Sequence, residues 1–207
     1  DIEEKYGGCM DYGRVNLAAE KLAKEIFDGW PVTAVPGRER HLFASAYTPG
    51  GYVDYSETLV EYMQRVYYVE GHPGTGKTRL LERFASSAVD RGVSVECFHY
   101  PLKPHKLCTV VMKELGIAVT CSAKAKERAD RMVDLNLFLD TKKLEEVMEQ
   151  VKRDTDIFER IISEAVSAIL DAKKTHDILE KYYAGNMDFE AIQRLKDKVL
   201  ERILEYR

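Results

Sequence analysis

The eight residues Gly71-His72-Pro73-Gly74-Thr75-Gly76-Lys77-Thr78 constrain this chain more than any other stretch. They fit the pattern G-x-x-x-x-G-K-[ST] without mismatch, and they stand between a strand-like run and a helix-like run, where such a loop can work. Ahead of them, Val66-Tyr67-Tyr68-Val69 are β-branched or aromatic, which favours an extended strand. Behind them, Leu80, Leu81, Phe84, Ala85 and Ala88 recur at helical spacing. Strand, glycine loop and helix together make an anion site, because loop N–H groups converge on phosphate oxygens and the helix N-terminus adds partial positive charge. The alternative is a glycine-rich turn that merely links a strand to a helix. An accidental match of this kind is expected in on the order of one per cent of chains this long, so nucleotide binding is the expectation.

At 207 residues and 45% hydrophobic content, the chain is long enough for one α/β domain with an appendage. A net charge of −4 argues against a general nucleic-acid binder, which usually shows a basic excess. No apolar run reaches the length of a membrane span and no signal peptide precedes the first acidic residues, so a cytoplasmic location without membrane contact is expected. Cys9, Cys97, Cys108 and Cys121 show no C-x-x-C spacing and fit reduced, mostly buried thiols. His99, His105, Cys108 and Cys121 can be drawn as a zinc set, but their spacing is irregular. The chain begins with Asp1 and no methionine, which reads as a fragment.

Three regions follow from the order of the signals. Residues 1–37 are expected to be a helical tail plus linker: Val15, Leu17, Ala18, Leu22, Ile26 and Phe27 form a helical stripe with a break at Gly7-Gly8, and the prolines and glycines from Gly29 to Gly37 then stop it. Residues 38–140 form the P-loop core. In it His41–Tyr47 looks like a strand, 55–65 a short helix, Val93–Phe98 the second core strand and Ile117–Cys121 the third. The segment 107–115 fits strand and helix equally, and the charged run 123–133 reads as a solvated helix or as a lid that brings Lys124, Lys126, Arg128 or Arg131 to phosphates. Residues 141–207 carry no strand signal. They read as a long amphipathic helix, interrupted at Asp154-Thr155-Asp156, and a last helix after Asn186. The fold class expected is α/β, with a mostly parallel P-loop NTPase-type sheet, flanking helices and a long helical C-terminal extension.

The two ends of the chain resemble each other. Glu3, Tyr6, Gly8, Met10, Asp11, Lys21 and Ile26 match Glu180, Tyr183, Gly185, Met187, Asp188, Lys198 and Ile203 at one offset, 177 residues. A repeat of that kind makes residues 1–27 the tail of a preceding copy and this chain the second half of a tandem pair. With Arg40-His41-Leu42-Phe43-Ala44-Ser45-Ala46 ahead of the P-loop, and Val95-Glu96, His99, Glu114-Leu115-Gly116 and Asp134-Leu135-Asn136-Leu137 behind it, the chain resembles a bacterial family of duplicated P-loop proteins usually labelled ATPase or nucleotide kinase. The resemblance implies ATP binding and a preceding homologous P-loop domain as partner. It supplies no substrate. Where the third strand of such proteins tends to end in aspartate this chain has Cys121-Ser122, and Lys103, His105 and Cys108 stand where acidic residues would be expected.

The expected nucleotide contacts are Gly71, His72, Pro73, Gly74, Thr75, Gly76, Lys77, Thr78 and the following Arg79. N–H groups from Gly74 to Thr78 would cradle the phosphates of ATP, Lys77 would neutralise β/γ charge as the catalytic cation, and the Thr78 hydroxyl would coordinate Mg²⁺. Hydrolysis also wants a strand-end carboxylate. With cysteine at 121 the substitutes are Glu70, Glu96, Asp134 and Asp140, each of which reads first as a solvated charge or a helix cap. Tyr47, Tyr52 and Tyr55 could stack on a base, but packing accounts for each as well. Three functions fit: an ATPase or nucleotide-driven switch with the helical extension transmitting nucleotide state, a phosphotransferase with 124–131 as lid, and a binding module whose catalytic acid has been lost.

Overall fold

The computed structural model describes residues 1–206. Helices α1 (Ile2–Gly8) and α2 (Tyr12–Ile26) lead to β1 (Glu39–Leu42), the hairpin β2 (Ser45–Thr48) and β3 (Gly51–Asp54), and the short α3 (Ser56–Val60). Then come β4 (Arg65–Glu70), α4 (Lys77–Val89), β5 (Val95–Tyr100), β6 (Lys103–Met112), β7 (Ile117–Thr120), β8 (Arg131–Asp134), α5 (Thr141–Ala184) and α6 (Phe189–Leu204). Six strands form one sheet in the order β1-β5-β6-β7-β4-β8, while β2 and β3 pair with each other. Only β6 runs against its neighbours, so the sheet is mostly parallel, as the sequence leads one to expect.

Burial explains the pairing. Val66, Tyr67, Tyr68 and Val69 of β4 and all four residues of β7 are buried, as strands covered on both faces must be. On one face Leu81, Phe84, Ala85 and Ala88 of α4 join Val15, Ala19, Leu22 and Ile26 of α2 in the larger core. Tyr67 reaches from β4 to Glu25 of α2, 3.3 Å away. The other face carries a smaller cluster built on Val60, Val66, Phe98, Val111 and Ala118.

Four local expectations change. The ambiguous segment 107–115 is strand as far as Met112 and a 3₁₀ turn over Lys113–Leu115: β6 lies between β5 and β7 with Leu107, Thr109, Val110, Val111 and Met112 all buried, and a run buried on both faces shows no period that separates strand from helix. The charged run 123–133 is not a helix. Ala123–Arg128 makes a 3₁₀ turn, and β8 then adds to the sheet beside β4, fixed by Asp130, whose carboxylate accepts from Val66 N at 2.7 Å and whose own N–H donates to Val66 O at 2.9 Å. The run 41–47 is split between β1 and β2. Finally, α5 passes through Asp154-Thr155-Asp156 unbroken for 44 residues: Thr155 returns its hydroxyl to Val151 O at 2.8 Å and Asp154 pairs with Lys5 of α1.

Aspartate side chains cap the starts of α2, α5 and α6. The Asp140 carboxylate accepts from Lys142 N and Lys143 N at 3.1 and 3.3 Å and so starts α5. Asp140→Ala is expected to cost about 1 kcal/mol, read as a fall of about 2–4 °C in a thermal melt followed by circular dichroism. Val151 is the only buried residue of α5, and α6 has none among the described residues. Most apolar side chains from Phe158 to Tyr183 and from Phe189 to Leu204 therefore face outward. No described helix is long and apolar enough to cross a membrane.

Candidate functional site

After Glu70 the chain turns over the end of the sheet and re-enters as α4. Gly74 and Gly76 take φ of +84° and +98°, the left-handed region where a side chain is strained. Buried Thr75 ties the loop to itself, donating to His72 O through its hydroxyl (2.8 Å) and its N–H (3.3 Å). Outside support comes from Asn136, whose side-chain oxygen accepts from His72 N at 2.9 Å and whose own N–H is held by Asp134. The helix N-cap is Gly76, which offers no side-chain acceptor, so the first-turn N–H groups of α4 are left for an outside anion. Lys77 folds back across the loop and donates to Gly71 O and, at 2.8 Å, to His72 O. Burial pushes its ammonium below the usual lysine pKa. All nine expected contact residues, Gly71 to Arg79, lie along this one turn.

The ends of the neighbouring strands carry sulfur where an acid was sought. Cys121 lies 3.0 Å from the Tyr100 hydroxyl and 4.0 Å from the Cys108 sulfur. The hydrogen bond to Cys108 lowers the Cys121 thiol pKa, and the Lys77 charge adds to the effect. The same hydrogen bond raises the Cys108 thiol. His99 pairs instead with His41, ring nitrogens 2.8 Å apart. Among the described residues, the three-residue groupings of metal-ligating side chains reduce to exposed His176, Asp177 and Glu180 on α5, so the zinc set is not assembled.

The candidate carboxylates are engaged elsewhere. Glu70 pairs with Lys126 at 2.5 Å. Glu96 sits near the start of β5, at the sheet end away from the loop, with Lys113 at 2.8 Å and Arg40 at 3.7 Å. Asp134 caps the turn that carries Asn136, and Asp140 caps α5. Mg²⁺ demands oxygen ligands, and of the protein groups expected to supply one, the Thr78 hydroxyl alone remains without another structural task. Phosphate thus fits the loop well, whereas a tightly held metal does not. Tyr47 and Tyr52 pack on each other, with ring centres 5.1 Å apart.

One part of the site carries no signal in the loop's own sequence: α1 lies against it. A Cβ placed on Gly74 would come 2.0 Å from the Glu3 carbonyl oxygen. The Tyr6 ring stacks on His72 at 4.6 Å with planes 7° apart, and the Tyr12 hydroxyl donates to Gly74 O at 2.8 Å. The Glu3 carboxylate pairs with Lys106 and, at 2.8 Å, with Lys103. In the sequence, only the match between the two chain ends at an offset of 177 residues sets this segment apart from a leader to the fold.

A parallel strand, a left-handed glycine turn, an uncapped helix start and a half-buried lysine across the turn define a P-loop nucleotide-binding module. Residues 60–156 match the family model described as AAA domain, a span that runs from the end of α3 through β8 into the first part of α5 and leaves α1, α2 and α6 outside. No curated protein and no solved structure matches the chain.

Proposed function

We propose that this chain is an ATP-binding switch of the ATPase type, one P-loop unit of a tandem pair, with slow hydrolysis. The observation that carries the reading is Lys77, a largely buried ammonium whose hydrogen-bond partners are two backbone carbonyls and which therefore faces the loop with its charge uncompensated by a carboxylate. A polyphosphate supplies the missing anion. N–H groups from Gly74 to Thr78 bind its oxygens, Lys77 takes the β/γ region, Arg79 stands at the rim, and Thr78 offers one oxygen to Mg²⁺, which neutralises phosphate charge when it arrives with the nucleotide.

Slow turnover follows from Cys121, since a thiol in this place neither holds a hard cation nor orients water as a carboxylate does. Calorimetry with ATP, ADP and GTP in the presence of Mg²⁺, run beside phosphate release, tests this. ATP should bind with little phosphate released, and Cys121→Asp should raise release by about tenfold or more, the range over which one positioned acid or base acts. Absence of ATP binding would end the reading. Less supports the phosphotransferase alternative, since three of its four expected lid cations have partners, Arg128 at Met63 O (3.0 Å), Arg131 at Glu25 and Lys126 at Glu70. ADP formation that depends on an added acceptor would revive it.

Support for the tandem reading lies in hydrogen bonds that recur at the same offset. Cys9 N donates to Tyr6 O and Asn186 N to Tyr183 O, both at 3.0 Å; Met10 N to Gly7 O at 3.2 Å is matched by Met187 N to Ala184 O at 3.3 Å. The Asp11 carboxylate then caps Arg14 N at 3.0 Å, as Asp188 caps Ala191 N at 2.9 Å. In this reading the α1–α2 pair is a second edition of the end of α5 and α6, with two departures in the apolar stripe, Arg194 in the place of Leu17 and Lys196 in the place of Ala19. In this reading residues 1–37 close a preceding unit and link it onward, 38–140 are the nucleotide core and 141–207 repeat the closing element.

A further inference from the structure

β6 runs against the rest of the sheet, so its first residues, Lys103 and Lys106, lie at the same end as the loop that leaves β4. Three ammonium groups, those of Lys77, Lys103 and Lys106, therefore gather at one corner. A single carboxylate, Glu3, stands between two of them, at 2.8 Å from Lys103 and in direct contact with Lys106. Glu3 does not reach this corner by chance of a mobile end, because α1 is seated on the loop by the Glu3 backbone against Gly74 and by Tyr6 on His72, and Tyr12, at the start of α2, adds a hydrogen bond to Gly74 O.

We propose that Lys103 and Lys106 are binding residues for the terminal phosphate of a nucleoside triphosphate, and that the Glu3 carboxylate fills their site until that phosphate displaces it and frees α1 from the loop. The proposal rests on the nucleotide-binding reading above and adds to it two phosphate ligands, an internal competitor and a moving part.

Charge and geometry select this role over its rivals. As a metal ligand Glu3 would have to bring a divalent cation between two ammonium groups, which Coulomb repulsion opposes. As a plain surface ion pair it would not need to lie on the loop. The carboxylate is firmly ionised: burial alone would raise its pKa, but the hydrogen bonds and charges of Lys103 and Lys106 outweigh burial and hold it at about 2. Yet partly exposed pairs of this kind contribute little to stability, so the latch is weak. A terminal phosphate carries more charge and three acceptor oxygens, enough to engage both lysines at once. A diphosphate held by the loop and Lys77 would lack the terminal group that the proposal assigns to these lysines, which makes the contact specific for the triphosphate.

The test is calorimetric titration of the whole chain with Mg-ATP and with Mg-ADP, for the unaltered protein, Glu3→Gln, and Lys103→Ala/Lys106→Ala. Glu3→Gln keeps size and hydrogen bonding but removes the competing charge. It is expected to tighten ATP by about three- to tenfold while ADP stays within about twofold, and the lysine double variant is expected to loosen ATP by about tenfold or more with ADP again little changed. Hydrogen exchange supplies a second readout: ATP, but not ADP, should raise exchange across residues 2–12. An unchanged ATP-to-ADP ratio in Glu3→Gln, with α1 equally protected in both complexes, overturns the proposal. Weaker ATP binding in Glu3→Gln overturns it in favour of Glu3 as part of the bound site. If neither nucleotide binds any of the three proteins, the nucleotide reading itself falls, and this proposal with it.

Discussion

Lys77→Ala will lower ATP affinity by at least about tenfold, because a hydrogen bond to a charged group contributes roughly 1.5–3 kcal/mol and Lys77 makes the central one. The fold should tolerate the change. Lys77 pays for its burial with a depressed pKa, and its present partners are the loop carbonyls of Gly71 and His72 rather than a core carboxylate that would be left unpaired. Calorimetry for affinity and a thermal melt for stability separate the two effects. Binding that survives at full strength would mean that phosphate enters elsewhere.

The second large effect is expected from Gly74→Ala. At φ of +84° an alanine is strained by about 1–2 kcal/mol. Its methyl would also fall 2.0 Å from the Glu3 carbonyl oxygen, a backbone atom that no rotamer change can move aside. Loop and α1 cannot both keep their places, and the less anchored α1 should leave. A loss of at least about 2 kcal/mol is expected, roughly 4–8 °C in the melt, with new protease cleavage within residues 2–12. Gly76→Ala gives the contrast. Its Cβ would have no neighbour nearer than 3.6 Å, so it should show the backbone strain without expelling α1.

Much of the module was legible in sequence because its signals are local. The loop motif, the apolar run of β4 and the helical stripe of α4 each depend on residues close in the chain, and each stands where it was expected. β6 and β8 were not legible for opposite reasons. β6 is covered on both faces from Leu107 to Met112 and has no polar side there to give it a period, while β8 is a four-residue edge strand of mixed composition whose place is fixed by the distant Asp130–Val66 pairing. The cover on the loop was hidden in another way. Glu3, Tyr6 and Tyr12 read as ordinary members of amphipathic helices, and only the fold brings them to Gly74, His72 and Lys106. The sulfur cluster was half visible: cysteine at 121 could be read from the chain, but its contacts with Cys108 and Tyr100 come from strand register.

α5 holds to the body near Val151 and Lys5–Asp154 and then continues as one uninterrupted rod to Ala184. At 1.5 Å per residue the stretch from Val151 to Ala184 is about 50 Å long, so a tilt of about 10° at its root would carry its tip through roughly 9 Å. The root rests on α1, and α1 rests on the loop. A shift too small to disturb the core at the phosphate end would thus reach the far end of the rod as a displacement wider than a helix radius, a mechanical gain fixed by helix length alone.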